Sequence, residues 1–140
     1  MSKHHKKIEA IARASKQAYV LLVDDEEDVT DILAKLLTRN GHLVTVYNNS
    51  VKALESFKPG KYDLAIIDIR MPVLNGFQLV KSLKEIDSSL RICYLTAFEV
   101  IDEEMAGNDI SHESVDCFMK KPIHVSDFIK KVNSQLEDCS

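Results

Sequence analysis

Three carboxylates stand where apolar runs end. Tyr19-Val20-Leu21-Leu22-Val23 is closed by Asp24 and Asp25, and Leu64-Ala65-Ile66-Ile67 by Asp68. Unbroken apolar runs of this length read as strands covered on both faces, the habit of parallel sheets. A carboxylate at the carboxyl end of such a strand lies where open α/β sheets bind ligands. If both strands are central and parallel, the three acids meet at one edge of the sheet. There they repel one another, and the simplest relief is a hard cation with oxygen ligands, above all Mg²⁺. Thr96 ends another apolar run and Lys121-Pro122 follows a further one, so a hydroxyl and an ammonium join the same edge.

The elements that must position these groups alternate from residue 18 onward. Strands are predicted at 19–23, 44–47, 62–67, 90–95 and 115–119. A helix over 28–40 places Val29, Ile32, Leu33, Leu36 and Leu37 on one stripe, with Gly41 as its stop. Ser50 reads as the N-cap of a short helix with Val51, Leu54 and Phe57 inward, ended by Pro59-Gly60. Asn75-Gly76 marks a turn before a helix carrying Phe77, Val80, Leu83 and Ile86. A last helix opens near Ser126 and buries Phe128, Ile129, Val132 and Leu136. Between Phe98 and Ser114 a fourth helix is due, but Gly107-Asn108-Asp109 interrupts the pattern, so a short helix near 102–106 and an irregular loop are expected. Five strands alternating with five helices give a doubly wound α/β domain.

A chain of 140 residues fits one domain, and 45% hydrophobic content suffices for a core. The net charge of -4 argues against general affinity for nucleic acid. Residues 1–17 hold Lys3, Lys6, Lys7, Arg13 and Lys16 against Glu9 alone, and read as a basic, flexible or partly helical extension. The domain proper is placed at 18–138. No apolar run approaches a membrane span or a signal h-region, so a cytoplasmic protein is expected. Cys93, Cys117 and Cys139 make an odd set without a Cys-x-x-Cys pair. Cys93 and Cys117 are read as small core residues with reduced thiols.

Taken in order, Val23-Asp24-Asp25-Glu26, Asp68-Ile69-Arg70-Met71-Pro72 with Asn75-Gly76, Leu95-Thr96-Ala97 and Lys121-Pro122-Ile123 resemble the receiver domain of two-component response regulators. The resemblance covers about residues 18–138. It implies a flavodoxin-like sheet of order 2-1-3-4-5, an order for which a receiver is a standing example. It implies Asp68 as phosphoryl acceptor, able to form an acyl phosphate. It implies Mg²⁺, with Mn²⁺ able to substitute, held by Asp24, Asp25, Asp68 and the backbone carbonyl of Arg70. Lys121 would pair with Asp68 before modification and with a phosphoryl oxygen afterwards. Thr96 would donate its hydroxyl to another phosphoryl oxygen, and Phe118 would swing inward as Thr96 moves. The face formed by the fourth helix, fifth strand and last helix would change with it. A cis Lys121-Pro122 bond is implied as well. Arg70 and Phe98 stand where the family tunes acyl-phosphate lifetime, and their bulk and charge are expected to lengthen it by hindering water.

The implied partners are a sensor histidine kinase or phosphotransfer protein and a downstream protein target. No DNA-binding domain and no membrane contact are expected, and the chain would act as a monomer or a phosphorylation-dependent dimer. Because the sequence ends about where the last helix does, a stand-alone receiver is expected, one that assists its own phosphorylation without being an enzyme. Each residue also has a plainer reading. Asp24, Asp25, Glu26 and Asp28 suit a helix N-terminus, Asp68 a turn, Thr96 a strand, Lys121 the surface and Phe118 the core. A dehalogenase-type phosphohydrolase would also use an aspartyl nucleophile after a strand. It would want a second acid where Arg70 stands.

Overall fold

In the structure, a computed structural model, residues 17–97 and 117–137 are described. Five strands, β1 (Tyr19–Val23), β2 (Leu43–Tyr47), β3 (Leu64–Asp68), β4 (Arg91–Ala97) and β5 (Cys117–Lys121), form one parallel sheet. Their order is β2-β1-β3-β4-β5, the flavodoxin-like arrangement. Four helices accompany them among the described residues: α1 (Glu27–Arg39), α2 (Ser50–Ser56), α3 (Gly76–Ile86) and α4 (Val125–Glu137). The expected short helix near 102–106, Phe98, Cys139 and residues 1–16 of the extension lie outside the described residues.

The central strands explain the apolar runs. All five residues of β3 are buried, as are four of the five in β1, because helices cover both faces. On one face Leu21, Val23, Ala65, Ile67 and Tyr94 meet Ala53 of α2 and Phe77, Leu79 and Leu83 of α3. On the other, Val20, Leu22, Leu64, Ile66 and Met119 meet Leu33 and Leu37 of α1 and Phe128, Val132 and Leu136 of α4. The i, i+4, i+8 spacing of the last three fixes which side of α4 faces the sheet.

Several sequence expectations are corrected. Ile32 is 59% exposed, because the buried stripe of α1 runs through Thr30, Leu33 and Leu37. The N-cap of α2 is Asn49, whose side chain accepts the Lys52 N–H at 3.0 Å, while Ser50 is a buried first-turn residue. Asn75 does more than turn the chain. It accepts the Gln78 N–H at 2.9 Å while Gln78 Oε1 accepts the Asn75 N–H at 2.9 Å, a reciprocal capping box for α3. Ile86 is exposed. β4 and β5 run far enough to contain Thr96 and Lys121 within the ladder.

The expectation of reduced thiols is also overturned. Cys93 and Cys117 lie directly opposite each other in the β4–β5 ladder, with Cα atoms 4.4 Å apart, and form a disulfide. That separation lies within the range a disulfide spans. Spacing along the chain did not reveal the pairing, because register between strands created it. The Lys121-Pro122 bond is cis.

Candidate functional site

The site follows from sheet register. Val23 of β1 pairs with Ile67 of β3, so Asp24 and Asp68, one residue further on, emerge side by side. Asp24 is fully buried and Asp68 is 4% exposed, while Asp25 is exposed. Oxygen atoms of all three carboxylates lie within 4.8 Å of one another. Asp24 is held from several directions. Its N–H donates to the Tyr47 carbonyl at 3.2 Å, and its carbonyl accepts from Asn48 Nδ2 at 2.8 Å. Its Oδ1 accepts the Glu26 N–H at 3.0 Å.

Lys121 reaches this cluster from the end of β5. Its Nζ lies 2.7 Å from Asp24 Oδ2, 3.3 Å from Glu26 Oε1 and 3.5 Å from Asp68 Oδ1. In this state the nearest partner of the ammonium is Asp24, with Asp68 the longest of the three contacts. Glu26 is a participant that the sequence reading missed. It stands in the Val23-Asp24-Asp25-Glu26 run, but only the position of Lys121 shows that it reaches the site.

One ammonium contacts three acids, with Asp25 a fourth in the cluster, and burial adds to the cost of the excess negative charge. Burial, followed by the charge of Asp24, pushes the Asp68 carboxyl up to about 7. Burial also raises Asp24, against the opposing effect of its hydrogen bond with Lys121. Burial would lower Lys121, but its hydrogen bond with Asp24 and the charge of Asp68 outweigh that and hold it above its ordinary value. Three clustered hard oxygen donors with surplus negative charge fit a divalent cation such as Mg²⁺.

A cleft of about 510 Å³ opens over Asp68, lined by Asp25, Glu26, Arg70, Met71, Pro72 and Lys121. Behind the cleft, Gly76 packs against the backbone of Asp68 and Ile69. The Gly76 N–H donates to the Ile69 carbonyl at 2.7 Å. A Cβ at Gly76 would run into the Asp68 carbonyl oxygen and lie 2.7 Å from Ile69 Cα. The start of α3 therefore rests directly on the backbone of the acceptor candidate.

Thr96 is fully buried and its hydroxyl donates to the Ala97 carbonyl at 2.9 Å. Phe118 is half-buried and stacks on Tyr94 with ring centroids 5.5 Å apart. Tyr94 in turn meets Phe77 edge-on at 5.1 Å. Tyr94, which the sequence reading did not single out, thus links the candidate switch aromatic to the core against α3. Its strand position gave the only advance signal, since it alternates with Cys93 and Leu95. Burial raises the pKa of its hydroxyl. Asp24, Asp25, Asp68 and Lys121 thus form one cluster, Thr96 stands on the adjoining strand with its hydroxyl turned to its own chain, and Arg70 lines the rim.

Residues 20–133 match the response regulator receiver domain family. The chain belongs to that family. Receiver domains are the signalling switches of two-component systems, and they generally bind Mg²⁺ at an acidic pocket. The receiver is 30% identical over 118 residues to the response regulator receiver protein CpdR of Brucella abortus, covering 84% of this chain and 95% of that protein. It is 26% identical over 121 residues to the transcriptional regulatory protein YkoG of Bacillus subtilis, covering 86% of this chain but 52% of YkoG. The chain spans about half the length of several curated relatives. Among solved structures, the response regulator TrrA of Thermotoga maritima, in complex with Mg²⁺ and BeF, superposes with a TM-score of 0.72 at 28% identity. That match covers 84% of this chain and 98% of TrrA. No described helix is long and apolar enough to cross a membrane.

Proposed function

We propose that this receiver is an Mg²⁺-dependent phosphoryl-accepting switch in which Asp68 takes a phosphoryl group from a histidine kinase or phosphotransfer protein. The observation that carries the reading is the burial of Asp68 beside Asp24 and Asp25, with Lys121 Nζ 3.5 Å from its Oδ1. In this reading Asp68 attacks phosphorus through a carboxylate oxygen, and the donor's leaving group departs on the opposite side. Mg²⁺ held by Asp24, Asp25, Asp68 and the Arg70 carbonyl would offset the charge of the phosphoryl oxygens. Lys121, shared between Asp24 and Asp68, would turn from a carboxylate to a phosphoryl oxygen with little movement. Thr96 would exchange its bond to the Ala97 carbonyl for one to the phosphoryl group, and Phe118, stacked on Tyr94, would swing further inward with it.

The surface that changes is the one around β5 and α4, where a protein target would dock. Arg70 at the cleft rim, together with Phe98, would slow hydrolysis by hindering water. Residues 1–17 are a separate extension in this reading, and 18–138 the switch, acting in the cytoplasm as a monomer or a phosphorylation-dependent dimer. The domain's chemistry is confined to its own modification.

Intact-protein mass after incubation with Mg²⁺ and acetyl phosphate tests the reading. The wild type should gain one phosphoryl mass and Asp68→Asn none, and removing Mg²⁺ should abolish the gain. A chain that folds and binds Mg²⁺ but gains no mass would refute the acceptor role.

A further inference from the structure

We propose that Cys93 and Cys117 form a thiol–disulfide exchange site through which a dithiol–disulfide couple sets how readily this receiver switches; the proposal rests on the reading of Asp68 as acceptor. The pair joins the two strands that carry the candidate switch residues. Cys93 stands three residues before Thr96 on β4, and Cys117 immediately before Phe118 on β5. The two cysteines face each other in the ladder and are bonded. Their side chains lie in the cluster with Leu95, Met119 and Phe128, on the sheet face opposite the Tyr94–Phe118 stack. The β4–β5 pair is thus tied covalently on one face and by stacked rings on the other.

This placement gives the bond a consequence. While it is closed, Cys93 and Cys117 stay in register, and any backbone movement that accompanies the rearrangement of Thr96 and Phe118 has to carry both strands together. Once it is open, hydrogen bonds and packing alone resist that movement. In a reducing cytoplasm a protein disulfide is usually transient and redox-sensing, which suits a switch better than a permanent staple. A thiolate of an external dithiol attacks the sulfur of Cys117, the more exposed of the two at 8% against 1%. The S–S bond breaks and Cys93 leaves as a thiolate. The second thiol of the dithiol then displaces Cys117, closing a cyclic disulfide. Two electrons and two protons pass to the protein, leaving two thiols.

The test compares the two redox forms in a Cys139→Ser background, which removes the remaining cysteine. Each form is unfolded and alkylated, and its mass is read. The oxidised form should take up no alkyl group, and the form treated with dithiothreitol two. Both are then given Mg²⁺ and acetyl phosphate, and the rate of phosphoryl gain is followed by intact mass. The reduced form should be phosphorylated several-fold faster. Cys117→Ala should match the reduced rate and ignore dithiothreitol, and if that variant fails to fold, the two redox forms still carry the comparison. Two alkylated thiols in the oxidant-treated protein would overturn the site. A closed disulfide with equal phosphorylation rates would overturn the coupling while leaving Asp68 as acceptor. A chain phosphorylated in neither form would overturn the Asp68 reading and the coupling with it.

Discussion

Asp68→Asn should make the metal-free protein more stable at neutral pH, although it removes the residue on which the proposed chemistry depends. Burial and the charge of Asp24 push the Asp68 carboxyl from an ordinary 3.8 to about 7. Between those values the folded chain binds more protons than the unfolded chain, so stability falls as pH rises through the window. One pKa unit corresponds to about 1.4 kcal/mol, which sets an upper bound of about 4 kcal/mol on the cost of ionising Asp68 in the fold. Titration shared with Asp24 spreads part of that cost over both acids, so the expected gain is about 2 kcal/mol once the pH passes neutrality. For a domain of this size that is about 4–8 °C in Tm. Asparagine keeps the shape and carries no charge. The assay is urea unfolding of wild type and variant in EDTA, from about pH 4 to about pH 8. The two should coincide at the acid end, and a gap should open as pH rises toward neutrality. Adding Mg²⁺ should narrow the gap by stabilising the wild type. An asparagine variant less stable at every pH, or a gap indifferent to pH, would refute the account of this site as an excess of buried negative charge.

Gly76→Ala should destabilise the fold by about 1–3 kcal/mol in urea unfolding, because the new Cβ runs into the Asp68 backbone. The same variant should accept the phosphoryl group from acetyl phosphate more slowly. Val73→Gly should stabilise the protein by about 1 kcal/mol, seen as a higher Tm. Val73 is 91% exposed with φ at 69°, where a β-branched side chain is strained, at the centre of a tight turn closed by the Leu74 N–H on the Pro72 carbonyl at 2.8 Å. Opening the Cys93–Cys117 bond, which closes a loop of 24 residues, should lower stability by about 3 kcal/mol, measured as a drop in Tm on adding dithiothreitol.

The cluster at the sheet's carboxyl edge was legible in the sequence because parallel strands deliver their last residues to one side. Once Val20–Val23 and Leu64–Ile67 are read as buried parallel strands, Asp24 and Asp68 come out at the same edge of the sheet, and the strand order makes them neighbours. The strand order came from a family likeness. What stayed hidden was whatever depends on how elements sit against each other. The Cys93–Cys117 bond arises from β4–β5 register, which neither strand encodes alone. Ile32 looked buried because a five-residue apolar stripe is wider than the face α1 turns to the sheet, and Thr30, a polar residue, took a place in that face. Thr30 is admissible there because its hydroxyl donates to the Glu27 carbonyl and accepts from Asn48. Asn49 outcompeted Ser50 as a cap by a shift of one residue, within the slack that local chemistry leaves. The sequence pairs Lys121 with Asp68, whereas its ammonium lies nearest Asp24. That Asp24 is its nearest partner follows from side-chain reach across three strands.

The three-ring series of Phe77, Tyr94 and Phe118 gives the molecule a built-in spectroscopic address. The chain has no tryptophan and only five phenylalanines, so its aromatic proton spectrum is sparse. Protons of Phe118 lie over the face of Tyr94, where the ring current displaces their resonances upfield. A change in the Phe118 rotamer alters that displacement. One-dimensional proton NMR on unlabelled protein would then register the position of this side chain directly, with no dye and no engineered probe.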